Sequence, residues 1–209
     1  MTAKIAKGNM SASSHTRDRP SATTFLLGDI ATVQQGYTFK PEYQGERHGK
    51  WMYAKVGDLN AHGNIKYLLN SHNYISDEVL AAIYATPFSE GSIVFPRVGA
   101  ALRANNKRIL NEDSVVDDNV LVVTVKNNQI CWPEYLYYWF EYHDLQEFCN
   151  DGSVPVIGAT YLKKQKVVLP ELTVQKTEAA ILSTWDVCIV KQSRLIAARE
   201  LYYSYERFR

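Results

Sequence analysis

The stretch "GSVPVIGATYLKKQKVVLPEL", residues 152–172, separates two parts of the chain that differ in composition. Gly152 and Ser153 allow the backbone to turn, and the β-branched run after the lysine pair ends at Pro170, which lacks a backbone donor. No Gly or Pro occurs from Thr173 to Arg209. We therefore predict a last β-strand, a break at the proline, and one long helix that starts near Thr173.

The predicted helix contains about 37 residues and spans about 55 Å at 1.5 Å per residue. Its apolar residues recur every seven positions, which is typical of a coiled coil, and Gln192 and Arg199 interrupt them to set the register or meet a partner. A helix packed on its own domain is the alternative, but a compact domain is too narrow to cover this length. The predicted contacts with a partner helix are Ile181, Leu182, Trp185, Cys188, Ile189, Leu195, Ile196, Tyr202 and Tyr203.

The preceding part, residues 25–170, alternates short apolar runs with polar loops. Residues 92–99 and 119–126 predict buried strands, while 74–84 and 132–151 predict helices. The elements lack the regular strand–helix–strand rhythm of a parallel doubly wound sheet. We therefore predict an α+β domain with an irregular mixed or antiparallel sheet, followed by the long coiled-coil-forming helix.

Composition narrows the function classes. Residues 1–24 lack the apolar core of a signal peptide and are predicted to be a flexible polar tail, and no segment approaches the roughly 18 apolar residues of a membrane helix. Cys131, Cys149 and Cys188 are widely spaced, which disfavours disulfides or structural zinc and fits a reducing cytoplasm. The net charge of +1 means that any surface for nucleic acid must be a local one.

No catalytic motif is present. The chain has no phosphate-binding P-loop, no Gly-x-Ser-x-Gly nucleophile elbow, no His-x-x-x-His pair and no Asn-Pro-Pro-aromatic tetrapeptide. The segment "EDSVVDDN" (112–119) is predicted to be a turn. A metal site at Asp113, Asp117 and Asp118, which would make the chain a stand-alone nuclease or methyltransferase, is kept as an alternative. The lack of motifs favours a binding module.

Basic residues stand beside Tyr and Asn in three predicted loops. Arg reads guanine and Asn reads adenine through paired hydrogen bonds, while Lys mostly contacts phosphate. Each loop taken alone has the composition of an ordinary solvated surface, but three together favour DNA binding. The candidate DNA contacts are Lys40, Tyr43, Arg47 and Lys50 in the first loop, Arg97, Arg103, Asn105, Asn106, Lys107 and Arg108 in the second, and Lys163 and Lys164 in the third.

The order of several segments resembles one half of a type I restriction–modification specificity subunit. These segments are "LGDIATVQQGYTF", "GSIVFPRVGA", "VVDDNVLVV" followed by "EYLYYWF", the stretch at 152–172, and "AAILSTWDVCI". The resemblance covers about residues 25–200 and is most specific at its end, where Gln175 and "ILSTWD" are in place. Glu171 stands where the family commonly has a second proline.

The resemblance implies a target recognition domain at 25–170, a spacer and dimerisation helix at 171–209, and no catalysis or cofactor of its own. It implies double-stranded DNA and modification subunits as partners, the latter methylating adenine with S-adenosylmethionine. A restriction subunit that uses ATP and Mg²⁺ is a further expected partner, and no membrane is involved.

The family carries two recognition domains and two spacer helices, whereas this chain carries one of each. It is thus either a half-length subunit or a piece of a longer one. We expect a homodimer that reads a bipartite palindrome. A protein that binds modification subunits without reading DNA, acting in assembly or as a decoy, is the alternative.

Overall fold

The computed structural model describes residues 21–150 and 152–206, so most of the expected tail and the last residues of the expected helix lie outside the described residues. The described residues form an α+β domain followed by one long helix, as predicted. The strands are β1 (Ala22–Leu26), β2 (Ala31–Gln35), β3 (Trp51–Ala54), β4 (Tyr67–Leu68), β5 (Tyr74–Ile75), β6 (Ile93–Pro96), β7 (Arg108–Leu110), β8 (Ser114–Val116), β9 (Val120–Val125) and β10 (Lys166–Pro170). The α-helices are α1 (Leu27–Ile30), α2 (Asp77–Ala82), α3 (Pro133–Tyr142), α4 (Ala159–Leu162) and α5 (Leu172–Glu206).

A five-stranded sheet in the order β2-β9-β6-β7-β4 forms the centre of the domain. Its pairs are antiparallel except for β4 and β7, which run parallel. Alternate residues of β9 enter different cores: Leu121 and Val123 pack with helix α3, while Val120 and Val122 pack with β3 and β8. Because side chains alternate between the two faces of a strand, a strand covered on both faces must be apolar on both, as the buried residues 120–123 of β9 are.

Two smaller groups of strands flank this sheet. Strand β3 lies between β5 and β8, and Tyr53 from β3 stacks on Phe39 with ring centroids 3.7 Å apart. Strand β1 pairs with β10 in an antiparallel ribbon just before the long helix. Residues 22–24, expected in the polar tail, thus form part of β1. The predicted turn at 112–119 likewise contains the short buried strand β8.

The helix expected at 132–151 is shorter than predicted. Helix α3 ends at Tyr142 and His143 is extended, after which Asp144 starts a 3₁₀ turn at Leu145–Phe148 by capping the backbone N–H of Gln146 at 2.9 Å. Asp144 favours this local turn because its carboxylate competes for backbone donors. The expected cap of α2 is confirmed, since the Ser76 hydroxyl accepts from the N–H of Val79.

Helix α5 packs on the domain along its first half only. From Gln175 onward its more buried residues are spaced by three or four positions, which places them on one stripe of the helix; they are Gln175, Ala179, Ser183, Asp186 and Val190. Every residue from 191 to 204 is exposed. One stripe of the helix therefore packs on its own domain, as the alternative interpretation expects, and the remaining length extends beyond the domain. The coiled coil stays a prediction.

Gln175 attaches the start of α5 to the domain. Its side-chain oxygen accepts from the N–H of Trp132 at 2.8 Å, and its amide donates to the carbonyls of Ile130 at 3.0 Å and Pro170 at 2.8 Å. The side chain is 1% exposed. A buried amide with these three partners holds the helix, the strand before it and the start of α3 in one arrangement.

Replacing Gln175 by Met keeps the side-chain length but removes the three hydrogen bonds. We expect a loss of about 2–3 kcal/mol in the free energy of unfolding, because buried backbone groups lose their partners. Urea denaturation measures this loss. Lys191→Met, on the exposed part of the same helix and outside the predicted helix contacts, is the control and should change stability by less than about 0.5 kcal/mol. Equal losses in the two variants would contradict this account.

Candidate nucleic-acid interface

Loops from four strands meet at one end of the five-stranded sheet. Strand β2 ends at Gln35 opposite Leu121, and β6 ends at Pro96 opposite Val120. Strand β7 pairs antiparallel with β6, so the residues just before β7 also lie at this end. We call this end the polar edge and define it by the side chains of Gln35, Thr38, Asn60, Arg97, Arg103, Asn106 and Asn119.

Arg97 lies at the centre of the polar edge. Its Nη1 donates to the Gln35 side-chain oxygen at 2.7 Å and to the Asp118 carbonyl at 3.2 Å. Among the described residues these contacts use Nη1 alone, so Nε and Nη2 keep donors for a ligand. Arg97 is therefore held in position by one nitrogen while the rest of its guanidinium group can contact DNA.

The neighbours of Arg97 form a second layer of hydrogen bonds. The Thr38 hydroxyl donates to Asp118 Oδ2 at 2.7 Å, and Asn119 donates to Asp118 Oδ1 at 3.0 Å. Gly36 allows the segment after β2 to pass close to the end of β8, since a Cβ there would lie 2.0 Å from the Val116 carbonyl oxygen. The polar edge thus presents amide, hydroxyl and guanidinium groups on a rigid support, and these groups suit hydrogen bonding to base edges.

The second predicted loop is divided between surface and interior. Arg103 is exposed in a 3₁₀ turn at Gly99–Ala104, and Asn106 donates to the side chain of Asn60 across the edge. Arg108 is partly buried and donates to the carbonyls of Asn64 and Lys107, each at 2.6 Å. Its guanidinium group therefore stabilises the protein backbone rather than reaching the surface.

The structure places Lys107 and Asn105, which were predicted to contact DNA, in contacts with other parts of the protein. Lys107 is fully buried, and its Nζ donates to the Asn105 side chain and to the carbonyl of His143, both at 2.9 Å. The same Asn105 oxygen accepts from the N–H of Leu145 at 2.9 Å. The pair therefore satisfies the backbone groups that the early end of α3 leaves open. Burial lowers the pKa of the Lys107 ammonium group, an effect opposed by the carboxylates of Glu141, Asp144 and Glu147.

The first loop begins at the polar edge and leads away from it. Lys55, which follows β3 at the polar edge, donates to the Gln44 side chain at 2.9 Å. Lys50 lies at the other end of β3, where its Nζ pairs with Asp77 at 2.8 Å and lies 4.9 Å from the centre of the Trp51 ring. These contacts hold Lys50 in position, although its side chain remains exposed. Of the other candidates, Lys40 and Arg47 are exposed and Tyr43 is half-buried.

The third loop lies away from the polar edge. The Lys163 carbonyl accepts from the N–H of Gly28 at 2.8 Å, in α1 just before β2 begins. The polar edge is at the other end of β2, about 14 Å away at 3.4 Å per residue. Lys163 and Lys164 are exposed and lie at the end of β2 opposite to the polar edge.

The carboxylates of the alternative metal site are separated. Asp113 and Asp117 flank opposite ends of β8, about 13 Å apart at 3.3 Å per residue. Asp117 accepts from the backbone and side chain of Asn119, and Asp113 accepts from the N–H of Glu90. Within residues 21–150 and 152–206, no group of three or more His, Cys, Asp or Glu side chains is placed to hold a metal ion. These carboxylates instead order the loops around them.

A model of the type I restriction modification DNA specificity domain matches residues 22–197. The chain belongs to this family. Membership confirms the resemblance seen in the sequence and agrees with the expectation of a non-catalytic specificity subunit. No curated protein sequence matches the chain. None of the described helices has both the length and the apolar character needed to cross a membrane.

Three solved structures share the fold of this specificity domain. The type I restriction–modification S subunit from M. genitalium has a TM-score of 0.58 at 12% identity, covering 85% of this chain and 42% of its own. The HsdS subunit from Thermoanaerobacter tengcongensis has a TM-score of 0.59 at 14% identity, covering 87% and 42%. A chain from a structure on complex assembly and conformational transition of the type I R-M system has a TM-score of 0.68 at 12% identity, covering 90% and 44%. This specificity domain thus spans less than half the length of each.

Sequence reasoning missed four members of the polar edge of the specificity domain: Gln35, Thr38, Asn60 and Asn119. Gln35 is the last residue of β2 and Asn119 directly precedes β9, and such positions at the ends of strands are the signal that could have indicated them. The predicted contacts were chosen in loops rich in Lys and Arg, whereas these four side chains carry no charge. Their convergence depends on pairing between segments far apart in the sequence.

The structural role of Lys107 gives a direct test. We expect Lys107→Ala to lower the free energy of unfolding by about 2–4 kcal/mol, because it leaves a cavity and unpaired acceptors. Arg103→Ala, on the exposed turn, should change it by less than about 0.5 kcal/mol. Thermal and urea unfolding measure both variants. If the Lys107→Ala protein has normal stability and loses only DNA binding, Lys107 contacts DNA and its structural role is wrong.

Proposed function

We propose that this chain is the DNA-reading specificity subunit of a type I restriction–modification complex. The observation that supports it most strongly is the convergence of Gln35, Arg97 and Asn119 at the polar edge of a chain that belongs to a family of DNA specificity domains. Arg and Gln form paired hydrogen bonds with guanine and adenine in the major groove. Asn119, whose two amide hydrogens are donated to Asp117 and Asp118, offers its side-chain oxygen as an acceptor. The polar edge is the surface that enters this groove.

The support around Arg97 favours selective reading. A side chain already held by Gln35 and the Asp118 carbonyl loses little conformational freedom when it binds a base. Arg103 and Asn106 flank it on the same edge. Lys40, Tyr43 and Arg47 remain candidates for contacts with phosphate along one side, where they would add affinity without selecting a sequence.

The chemistry belongs to partner subunits in this proposal. Modification subunits would methylate adenine with S-adenosylmethionine, and a restriction subunit, with ATP and Mg²⁺, would cleave. The specificity subunit would select the DNA sequence and provide a surface for assembly of the complex. Its three cysteines are free thiols, which fits the expectation of a reducing cytoplasm.

We propose that a second copy of the chain covers the free face of helix α5. Ile181, Trp185, Ile189, Leu195 and Ile196 are each more than half exposed and follow the seven-residue pattern. Gln175, Ala179 and Val190, which face the domain, form a neighbouring stripe along the first half of the helix, and every residue from 191 to 204 is exposed. A second copy would supply a second recognition domain and a second long helix, which is the arrangement that the family resemblance implies.

An antiparallel pair would place two identical polar edges at opposite ends of the helices. The target would then contain two identical inverted half-sites separated by an unread gap. Helix α5 has 35 residues, or about 52 Å, so the gap is at most roughly fifteen base pairs at 3.4 Å each.

Base reading is tested by comparing two substitutions in the presence of modification subunits. We expect Arg97→Ala to weaken binding by about 1–3 kcal/mol and to relax one base position in each half-site. Lys163→Ala, away from the polar edge, should leave sequence preference unchanged. Selection from a random DNA library measures both. If both substitutions weaken binding to all DNA sequences equally, Arg97 does not read a base. If the wild-type protein assembles with modification subunits but shows no sequence preference, the assembly or decoy role is favoured.

Self-association is tested on the free helix face. We expect the wild-type chain to have the mass of a dimer in light scattering and Leu195→Glu to have that of a monomer, because a charge would be buried between the helices. Ala197→Glu adds the same charge about 200° around the helix and should leave the dimer intact. A strictly monomeric wild-type chain would remove the palindrome from the proposal for the isolated protein.

A further inference from the structure

A buried lysine joins the recognition domain to helix α5. Lys66, just before β4, is 8% exposed, and its Nζ donates to Glu134 Oε1 at 2.5 Å, the Tyr138 hydroxyl at 2.8 Å and Ser183 Oγ at 3.0 Å. An ammonium group has three donors, so all are used. The acceptors come from two helices, α3 and α5. We call Lys66, Glu134, Tyr138, Ser183 and Asp186 the Lys66 cluster.

The rest of the cluster strengthens this connection. Asp186 of α5 accepts from the Tyr138 hydroxyl at 2.5 Å and lies 3.8 Å from Lys66 Nζ. The ammonium group also lies 4.7 Å from the centre of the Tyr138 ring and 5.5 Å from that of Tyr67. Burial, together with the Glu134 carboxylate, raises the pKa of Tyr67 to about 12, so its hydroxyl stays a donor to Glu134 at neutral pH.

The contact between the domain and helix α5 is not closely packed around the Lys66 cluster. A cleft of about 290 Å³ separates β4 and its preceding loop from α5 and is lined by residues that include Ile65, Tyr67, Val187 and Val190. Apolar contacts across such a cleft would tolerate sliding, because they have no fixed direction. Hydrogen bonds to a buried charge do have a fixed geometry. The direction of the helix at this point therefore depends on the Lys66 cluster.

Two separated attachments define the direction of a rod. Gln175 is the first, and Ser183 and Asp186 are the second, roughly 12–16 Å further along the helix axis. From Gln175 to Glu206 the helix extends roughly 46 Å. A rotation of 10° about Gln175 moves its far end by roughly 8 Å, which exceeds two base-pair steps of 3.4 Å.

We propose that the Lys66 cluster determines the length of the gap between the two half-sites. The inference rests on the proposed dimeric function, since a gap exists only when two domains read one DNA. The cluster sets the angle between the recognition domain and helix α5, and with it the separation of the two polar edges. Lys66 and its partners are positioning residues that do not touch DNA.

The test measures binding as a function of gap length. DNA duplexes carry the selected half-sites with every gap from zero to roughly fifteen base pairs, the limit set by the helix length. The complex contains the full chain and its modification subunits. Ser183→Ala and Tyr138→Phe each remove one bond to Lys66 but keep the fold, because Ala favours helices and Phe retains the ring. Thr184→Ala and Tyr142→Phe, both exposed neighbours, are the matched controls.

We expect the wild-type protein and the controls to prefer one gap over its neighbours by about tenfold, or about 1.4 kcal/mol. The two cluster variants should bind the neighbouring gaps almost equally while selecting the same half-site sequence. A merely structural role would weaken all gaps together. Cluster variants that keep the wild-type gap profile would overturn the proposal.

A second measurement separates this inference from the proposed function. Small-angle X-ray scattering of the full chain reports the distribution of distances between domain and helix without DNA. The cluster variants should broaden that distribution, and the controls should not. A wild-type protein without any bipartite preference would contradict the dimeric function, whereas unchanged scattering in the cluster variants would contradict the positioning role by itself.

Discussion

Strand β9 is the element on which the rest of the domain depends. It pairs with β2 on one side and β6 on the other, and its alternate side chains enter two different cores. This double burial requires an apolar strand and fixes its register, because a slip of one residue would exchange the two cores. The fixed register in turn brings Gln35, Arg97 and Asn119 to one end of the sheet. The candidate DNA surface is therefore a consequence of how the core is packed.

Two buried lysines show how charge is used inside this fold. Lys107 satisfies backbone groups at the early end of α3, and Lys66 connects the domain to helix α5. Burying an ammonium group is costly unless each donor finds an acceptor, so both sites consist of closely placed oxygen atoms. The geometric demands of these sites make each arrangement specific, which an apolar contact of equal size would not do.

Helix α5 combines two roles on different parts of its surface. Gln175 and Ser183 hold the recognition domain, and exposed residues such as Ile189 and Leu195 are open to a partner helix. A rigid element attached in this way converts a local contact into a distance between remote surfaces. The proposed specificity of the protein thus has two independent parts, the bases read at the polar edge and the gap set along the helix.

The sequence by itself determined the long helix, the strands at β9 and β10, the cap at Ser76 and the family, because periodicity, breakers and caps are local properties of neighbouring residues. Only the tertiary structure decided which polar residues meet. Its basic charge made Lys107 a predicted DNA contact, but packing buries it. Gln35 and Asn119 carry no charge and were not predicted, but strand pairing brings them beside Arg97. The end of α3 was also hidden, since it depends on Asp144 and on support from a distant loop. Pairing between segments far apart in the sequence positions these side chains, and a pattern of neighbouring residues does not show which distant segments pair.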